Sequence, residues 1–321
     1  MILRTFAIIG FAVTLMAQAG AADFPDMPIK LIVPTAPGGI NDIVARLIQP
    51  GLMAALKQPI VIENKPGANN IIGTDFVAKS RPDGYTLVVV PASHSVNPAV
   101  QAKMPFNTEK DLTPVILIGK NPMLFLVNPT VHAKTMQEFI AAAKREPGGF
   151  SYSTPGVASQ AHLIIAQLTG MEGVNVVQIP YRGGAPAMLA TISGETQFTL
   201  MSSSLATPQV EAGKLRALAI GGQQRDPHLP NVPTLAEAGF PGMEAVTWAG
   251  IFAPAGTPLP IVALLNGEID RIIHEPDIAA KLDKQGIVVD GGRPEVLGRL
   301  VANEIARWTA VAQKNHISVG R

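Results

Sequence analysis

Six short segments hold most of the residues with which this chain could do chemistry. The first reads Thr35-Ala36-Pro37-Gly38-Gly39-Ile40-Asn41-Asp42 and leads into a helical pattern from Ile43. Gly38 and Gly39 allow a ligand to approach the backbone closely. The free N–H groups of the helix start favour an anionic oxygen there. A plain helix cap, with Asn41 or Asp42 accepting those N–H groups, fits the same residues. Similar segments recur at Pro66-Gly67-Ala68-Asn69-Asn70, Ser93-His94-Ser95-Val96-Asn97 and Ser153-Thr154-Pro155-Gly156-Val157-Ala158-Ser159. Tyr181-Arg182-Gly183-Gly184-Ala185-Pro186 and Met201-Ser202-Ser203-Ser204 complete the set. Loops rich in neutral donors suit a small desolvated anion held by amides and hydroxyls. Arg182 is the best cationic ligand candidate, although a solvated surface arginine reads the same way.

Catalytic patterns are largely missing. The chain has no Gly-x-Ser-x-Gly elbow, His-Glu-x-x-His, phosphate-binding loop or dinucleotide fingerprint. Its six histidines, at 94, 132, 162, 228, 274 and 316, show no metal-ligand pairing. His162 lies three residues after Ser159, but no orienting acid is evident, so a satisfied helix residue is the better reading. Asp42 and Arg46 stand four apart, the spacing of a helix-surface ion pair. The residues call for no cofactor and no metal.

The elements that must position these loops alternate. Apolar runs at 29–34, 59–64, 86–91, 150–155, 174–180, 196–201 and 215–220 end in Pro, Gly, Ser or Asn and read as buried strands. Between them lie amphipathic segments such as NDIVARLIQPGLMAAL and QAHLIIAQLTG. That alternation argues for parallel sheets covered by helices, with ligands beyond the carboxyl ends of the strands. The region after residue 259 is mostly helical, with one short strand at 287–292. Ile305, Trp308 and Val311 there fit packing onto a domain face.

Composition narrows the function. With 25 basic and 24 acidic residues the chain has no field for a polyanion, so nucleic acid is not an expected partner. The absence of Cys excludes disulfides, thiolate metal sites and a lipid-anchored N-terminal Cys. Aromatic residues make up only 5%, too thin for a cage that stacks sugars or quaternary amines. Residues 1–22 combine Arg4, an apolar stretch and Ala17, Ala19, Ala21 and Ala22, the pattern of a signal peptide cleaved after Ala21 or Ala22. The stretch is shorter than the roughly 20 residues of a spanning helix, so no membrane insertion of the mature chain is expected. Cleavage removes Arg4 and leaves 24 charges of each sign.

The ordered segments IKLIVPTAPGGINDIVAR, VIENKPGANNIIGTDFVAKSRPDGYTL, SYSTPGVASQAHL, QIPYRGGAPAMLATISGETQF, LPNVPTLAEAGFPG and WAGIFAPAGTP cover much of the chain. In them it resembles the Bug family, the periplasmic substrate receptors of tripartite tricarboxylate transporters. The resemblance implies an α/β, two-lobed periplasmic-binding-protein fold (type II, Venus flytrap), each lobe a mostly parallel sheet flanked by helices. Crossings near Asn121 and Trp248 would place lobe 1 at 23–122 plus 246–321 and lobe 2 at 123–245.

In that family, two loops act as pincers on a carboxylate. By position they are Thr35, Ala36, Gly38, Gly39, Asn41 and Asp42 facing Thr154, Gly156, Ala158 and Ser159. Tyr181, Arg182, Ser202 and Ser203 complete the candidate site from neighbouring loops. Thr35 replaces a usual apolar or aromatic residue, and Ala158 a common Gly, so ligand identity does not transfer. The expectation is a monomeric periplasmic receptor that delivers a mono- or dicarboxylate to membrane permease subunits. The alternatives are an exported hydrolase or lyase using His94 or His162, and a ligand-sensing subunit for a membrane signalling protein.

Overall fold

A computed structural model describes residues 24–319, so the expected signal peptide lies outside the described residues. The first half of the chain runs β1 (Ile29–Val33), α1 (Ile40–Leu56), β2 (Ile60–Asn64), α2 (Ile71–Ala78), β3 (Thr86–Pro91), α3 (Ser93–Val100), β4 (Leu112–Val127), α4 (Met136–Arg145), β5 (Ser151–Thr154) and α5 (Gln160–Glu172). It continues with β6 (Val177–Pro180), α6 (Gly184–Ile192), β7 (Phe198–Ser202), α7 (Ser203–Glu211), β8 (Arg216–Ile220), β9 (Val246–Pro254), α8 (Leu259–Ile273), α9 (Pro276–Asp283), β10 (Val288–Val289) and α10 (Pro294–Lys314). No helix among the described residues is long and apolar enough to cross a membrane.

Each apolar run forms a strand because β-branched side chains pack well on a pleated surface covered on both faces. Ile29, Leu31, Ile32 and Val33 of β1 are all buried. The strands join in the order β2-β1-β3-β9-β4-β7-β5-β6, with β8 and β10 also on β4. Strands β1, β2 and β3 are mutually parallel, as are β5, β6 and β7. The two long strands differ from the parallel expectation. β4 and β9 pair antiparallel with each other, and β4 pairs antiparallel with β7, β8 and β10. These strands pass from one half of the molecule to the other, so neighbouring helices cannot return them in parallel register.

Three more segments depart from the sequence reading. Ser93–Asn97 is not a loop but the first part of α3. β7 runs through Ser202 directly into α7 at Ser203, so Met201–Ser204 contains no intervening loop. The strand expected over 287–292 shrinks to Val288–Val289, because Gly291 and Gly292 then adopt positive φ.

One core cluster gathers Phe125, Phe139, Tyr152, Phe198 and the buried face of α5. Others bind α1 and α8 to β1, β3, β4 and β9, or place Leu297 and Val301 of α10 beside Trp248 and Phe252. α10 bridges these regions, since its second half puts the fully buried Trp308 with Val311 and Ala312 into the α5 cluster. At the crossing, Met123 N–H donates to Ala245 O and Gly221 N–H to Met123 O, each at 2.8 Å. Gly221 is required there, because a Cβ would collide with Ala245 O.

Candidate ligand cleft

The register sets both groups of loops against one another. The end of β3, Pro91, pairs with Ala249, which pairs with Gly119 of β4. The end of β7, Ser202, pairs with Met123, four residues further along β4. The carboxyl ends of β1–β3 and of β5–β7 therefore point toward the same crossing from opposite sides, the geometry in which open α/β sheets hold ligands.

In the β1–α1 loop, Asp42 is the organiser. Its Oδ2 accepts from Gly38 N–H at 2.9 Å and Arg46 Nε at 2.9 Å, and its Oδ1 accepts from Arg46 Nη2 at 3.1 Å and Asn64 Nδ2 at 3.0 Å. Asn64 also donates to Thr35 O. Asp42 is buried and the Arg46 side chain half-exposed, so the pair is an enclosed carboxylate with an outer guanidinium, not the surface pair its spacing suggests. The hydrogen bond from Arg46, with those from Gly38 and Asn64, brings the Asp42 carboxyl down to about 2.

Gly39 N–H is also taken, by Ala36 O. Ala36 itself is exposed at the turn. No side chain caps α1, because Gly39 is its N-cap and Asp42 is spent on Gly38. Its first-turn N–H groups thus remain open toward an anion. Asn41, wholly buried at the second helical position, leaves both Oδ1 and Nδ2 unpartnered, and Thr35 Oγ1 is also enclosed without a partner.

The β5–α5 loop is tied down differently. Thr154 Oγ1 donates to Gly156 O and accepts from Gln178 Nε2. Gly156 has φ +158°, and a Cβ would meet little but Tyr181 O at 3.9 Å. Ala158 is buried with φ +56°, and its N–H donates to His162 Nδ1 at 3.1 Å. Ser159 Oγ caps α5 by accepting from His162 N–H. Tyr181 N–H donates to Thr154 O and Gly183 N–H to Pro155 O, which docks the next loop alongside. Tyr181 Oη donates to Glu195, and burial first, then that carboxylate, raises the phenol to about 12. Arg182 is exposed.

Asn41 and Ser202 line one cavity at the crossing, with Ile40, Asn121, Ser204, Trp248 and Ile287. Ser203 Oγ donates to Asn121 Oδ1 at 3.0 Å, and Asn121 Nδ2 donates to Gln285 O. Ser203 is therefore a brace for the cavity wall. The other candidates stay on the β1–α1, β5–α5 and β6–α6 loops, outside that cavity lining. Asn121 and Trp248 were absent from the sequence-derived site, and their signal was the placement of the crossings near residues 121 and 248. Ser204 lies in the hydroxyl-rich 201–204 segment beside the candidates Ser202 and Ser203.

Behind the cavity, Trp248 Nε1 and Ser95 Oγ both donate to the buried Glu304 carboxyl, whose pKa burial raises. Arg307 then donates to Gln167 and to Glu244 O. The two histidines of the hydrolase alternative are poor bases. Burial lowers His94 to about 3, beside Phe106 and Phe252, and His162 to about 4. Neither makes a hydrogen bond to a carboxylate among the described residues.

Comparison with known proteins gives a consistent result. Residues 44–317 match the family model described as the tripartite tricarboxylate transporter family receptor. Protein BugT of Bordetella pertussis is 33% identical over 316 residues, covering 97% of each chain. A solved Rhodopseudomonas palustris protein with adipate superposes with a TM-score of 0.80 at 34% identity, covering 92% of this chain and 99% of that one. MatC from Rhodopseudomonas palustris, with bound malate, gives a TM-score of 0.76 at 35% identity over 90% of this chain and 99% of its own. The chain belongs to the receptor family of the tripartite tricarboxylate transporters, a family of periplasmic solute-binding proteins.

Proposed function

We propose that this receptor captures a small organic mono- or dicarboxylate between its lobes and delivers it, as a monomer and without turnover, to membrane permease subunits. The observation that carries the reading is the uncapped start of α1, with its unpartnered Asn41 lining the same cavity as Ser202. Lobe 1 comprises 23–122 plus 246–321 and lobe 2 comprises 123–245. Residues 1–22 are removed on export near Ala21 or Ala22. The ligand carboxylate sits between the pincer loops, and Asp42, Thr154, Ser203 and the Ala158 N–H hold those loops in shape. Relatives solved with adipate and malate support the ligand class.

Closing the lobes completes contacts from both sides, so the ligand stabilises the closed form by differential affinity. The test is a thermal-shift screen of mono- and dicarboxylic acids. An acid present at about 100 times its Kd should add roughly 2.7 kcal/mol of stability. A panel in which no acid raises the melting temperature contradicts the proposal.

A further inference from the structure

Asn41 is 0% exposed, and neither end of its carboxamide has a partner among the described residues. Three of the polar side chains that line the cavity with it are already engaged. Asn121 Oδ1 accepts from Ser203 and its Nδ2 donates to Gln285 O, while the Ser202 and Ser204 hydroxyls lie 3.1 Å apart. Asn41 therefore lines the cavity with one acceptor and one amide donor group unspent. Buried polar groups are almost always paired, so such a residue marks where a ligand completes the structure.

The chemistry of the missing partner follows from those two ends. Nδ2 requires an acceptor and Oδ1 requires a donor. An ionised carboxylate accepts but has no proton to give, so it leaves Oδ1 stranded. The cavity lining also contains no Lys or Arg, so a carboxylate against the Asn41 side chain would meet no side-chain counter-charge, while the uncapped start of α1 remains for the ligand's own carboxylate. A hydroxyl or primary carboxamide donates and accepts while remaining neutral.

We infer that Asn41 forms a neutral donor–acceptor subsite at the floor of the cleft, and that the ligand is an organic acid bearing a hydroxyl or carboxamide besides its carboxylate. The inference rests on the receptor reading above and narrows it. Unsubstituted aliphatic and aromatic acids are then weak ligands, because they leave Asn41 unpaired.

The test is calorimetric titration of the chain from residue 23 with matched pairs: malate against succinate, 2-hydroxyglutarate against glutarate, 3-hydroxybutyrate against butyrate, and glutaramate against glutarate. In at least one pair the substituted acid should bind at least about tenfold more tightly. In Asn41→Leu that ratio should fall to about twofold or less. Equal affinities in every pair that binds, or a wild-type ratio that survives in Asn41→Leu, overturn the inference while leaving a carboxylate receptor. If Asn41→Leu does not fold, Asn41→Ala makes the same comparison, and the wild-type ratios decide independently of either variant. Failure of every acid to bind removes the receptor reading itself.

Discussion

The two loops proposed as pincers begin helices of opposite character. α5 is capped by its own Ser159, and the strained backbone before it is held by His162. α1 has no side-chain cap, and the residue whose spacing suits a cap, Asp42, turns back to hold Gly38 and Asn64. One loop thus satisfies much of its hydrogen-bonding capacity internally. The other uses its charge for shape and leaves Asn41 and its first-turn N–H groups unspent. The β5–α5 loop offers a shaped backbone surface, whereas the β1–α1 loop offers unused polar groups.

The largest expected effect comes from disturbing the shaped surface. Gly156→Val forces a β-branched residue to φ +158°, and binding of the best acid should fall at least about 100-fold by calorimetry with the fold retained. Gly39→Val should also abolish binding, since its Cβ would lie 3.3 Å from Ala36 O and 3.4 Å from Thr35 Oγ1. Unchanged affinity in both variants would move the site elsewhere.

Next is the organiser of the β1–α1 loop. Asp42 is lowered from 3.8 to about 2, so its stabilisation is complete above about pH 4 and is lost as pH falls through 2. Asp42→Ala should cost roughly 2 kcal/mol in denaturant unfolding at neutral pH. It should also flatten the acid limb between pH 4 and 2. An unaltered acid limb would show that the carboxylate does not hold the loop.

His162→Ala removes the acceptor for Ala158 N–H, a loss of about 1 kcal/mol that should weaken binding roughly fivefold. His162 falls from 6.5 to about 4 in the folded chain. Its contribution is therefore present above pH 6.5 and lost as pH falls through 6.5 toward 4. That part of the stability slope should vanish in the variant, while the part due to His94 remains. Affinity equal to wild type would make His162 irrelevant to the loop. The smallest effect should come from the exposed Arg182: Arg182→Ala should leave stability within about 0.5 kcal/mol, and a larger loss would reveal a structural role.

Much of this architecture can be read from residue patterns. The runs ending in Pro34, Asn64, Pro91 and Pro155 announce strands, and the helices after them follow from apolar spacing. The Ser93 segment misled because Ser, His and Asn resemble loop residues, yet tertiary contacts bury His94, Ser95 and Asn97 within α3. The pincer residues stood out through glycine and hydroxyl content, but the partners of their polar atoms did not. Asp42 and Arg46 gave only a spacing. The bond to Asn64 depends on how β1 and β2 align. The cavity roles of Asn121 and Trp248 arise from long-range strand register, which no local window contains.

The most direct test is calorimetric titration of the chain from residue 23 with a panel of mono- and dicarboxylic acids, followed by NMR of the recovered acid. Saturation at one acid per chain, with the acid recovered unchanged, is the predicted result. No saturation by any acid, or chemical conversion of the one that binds, would contradict it.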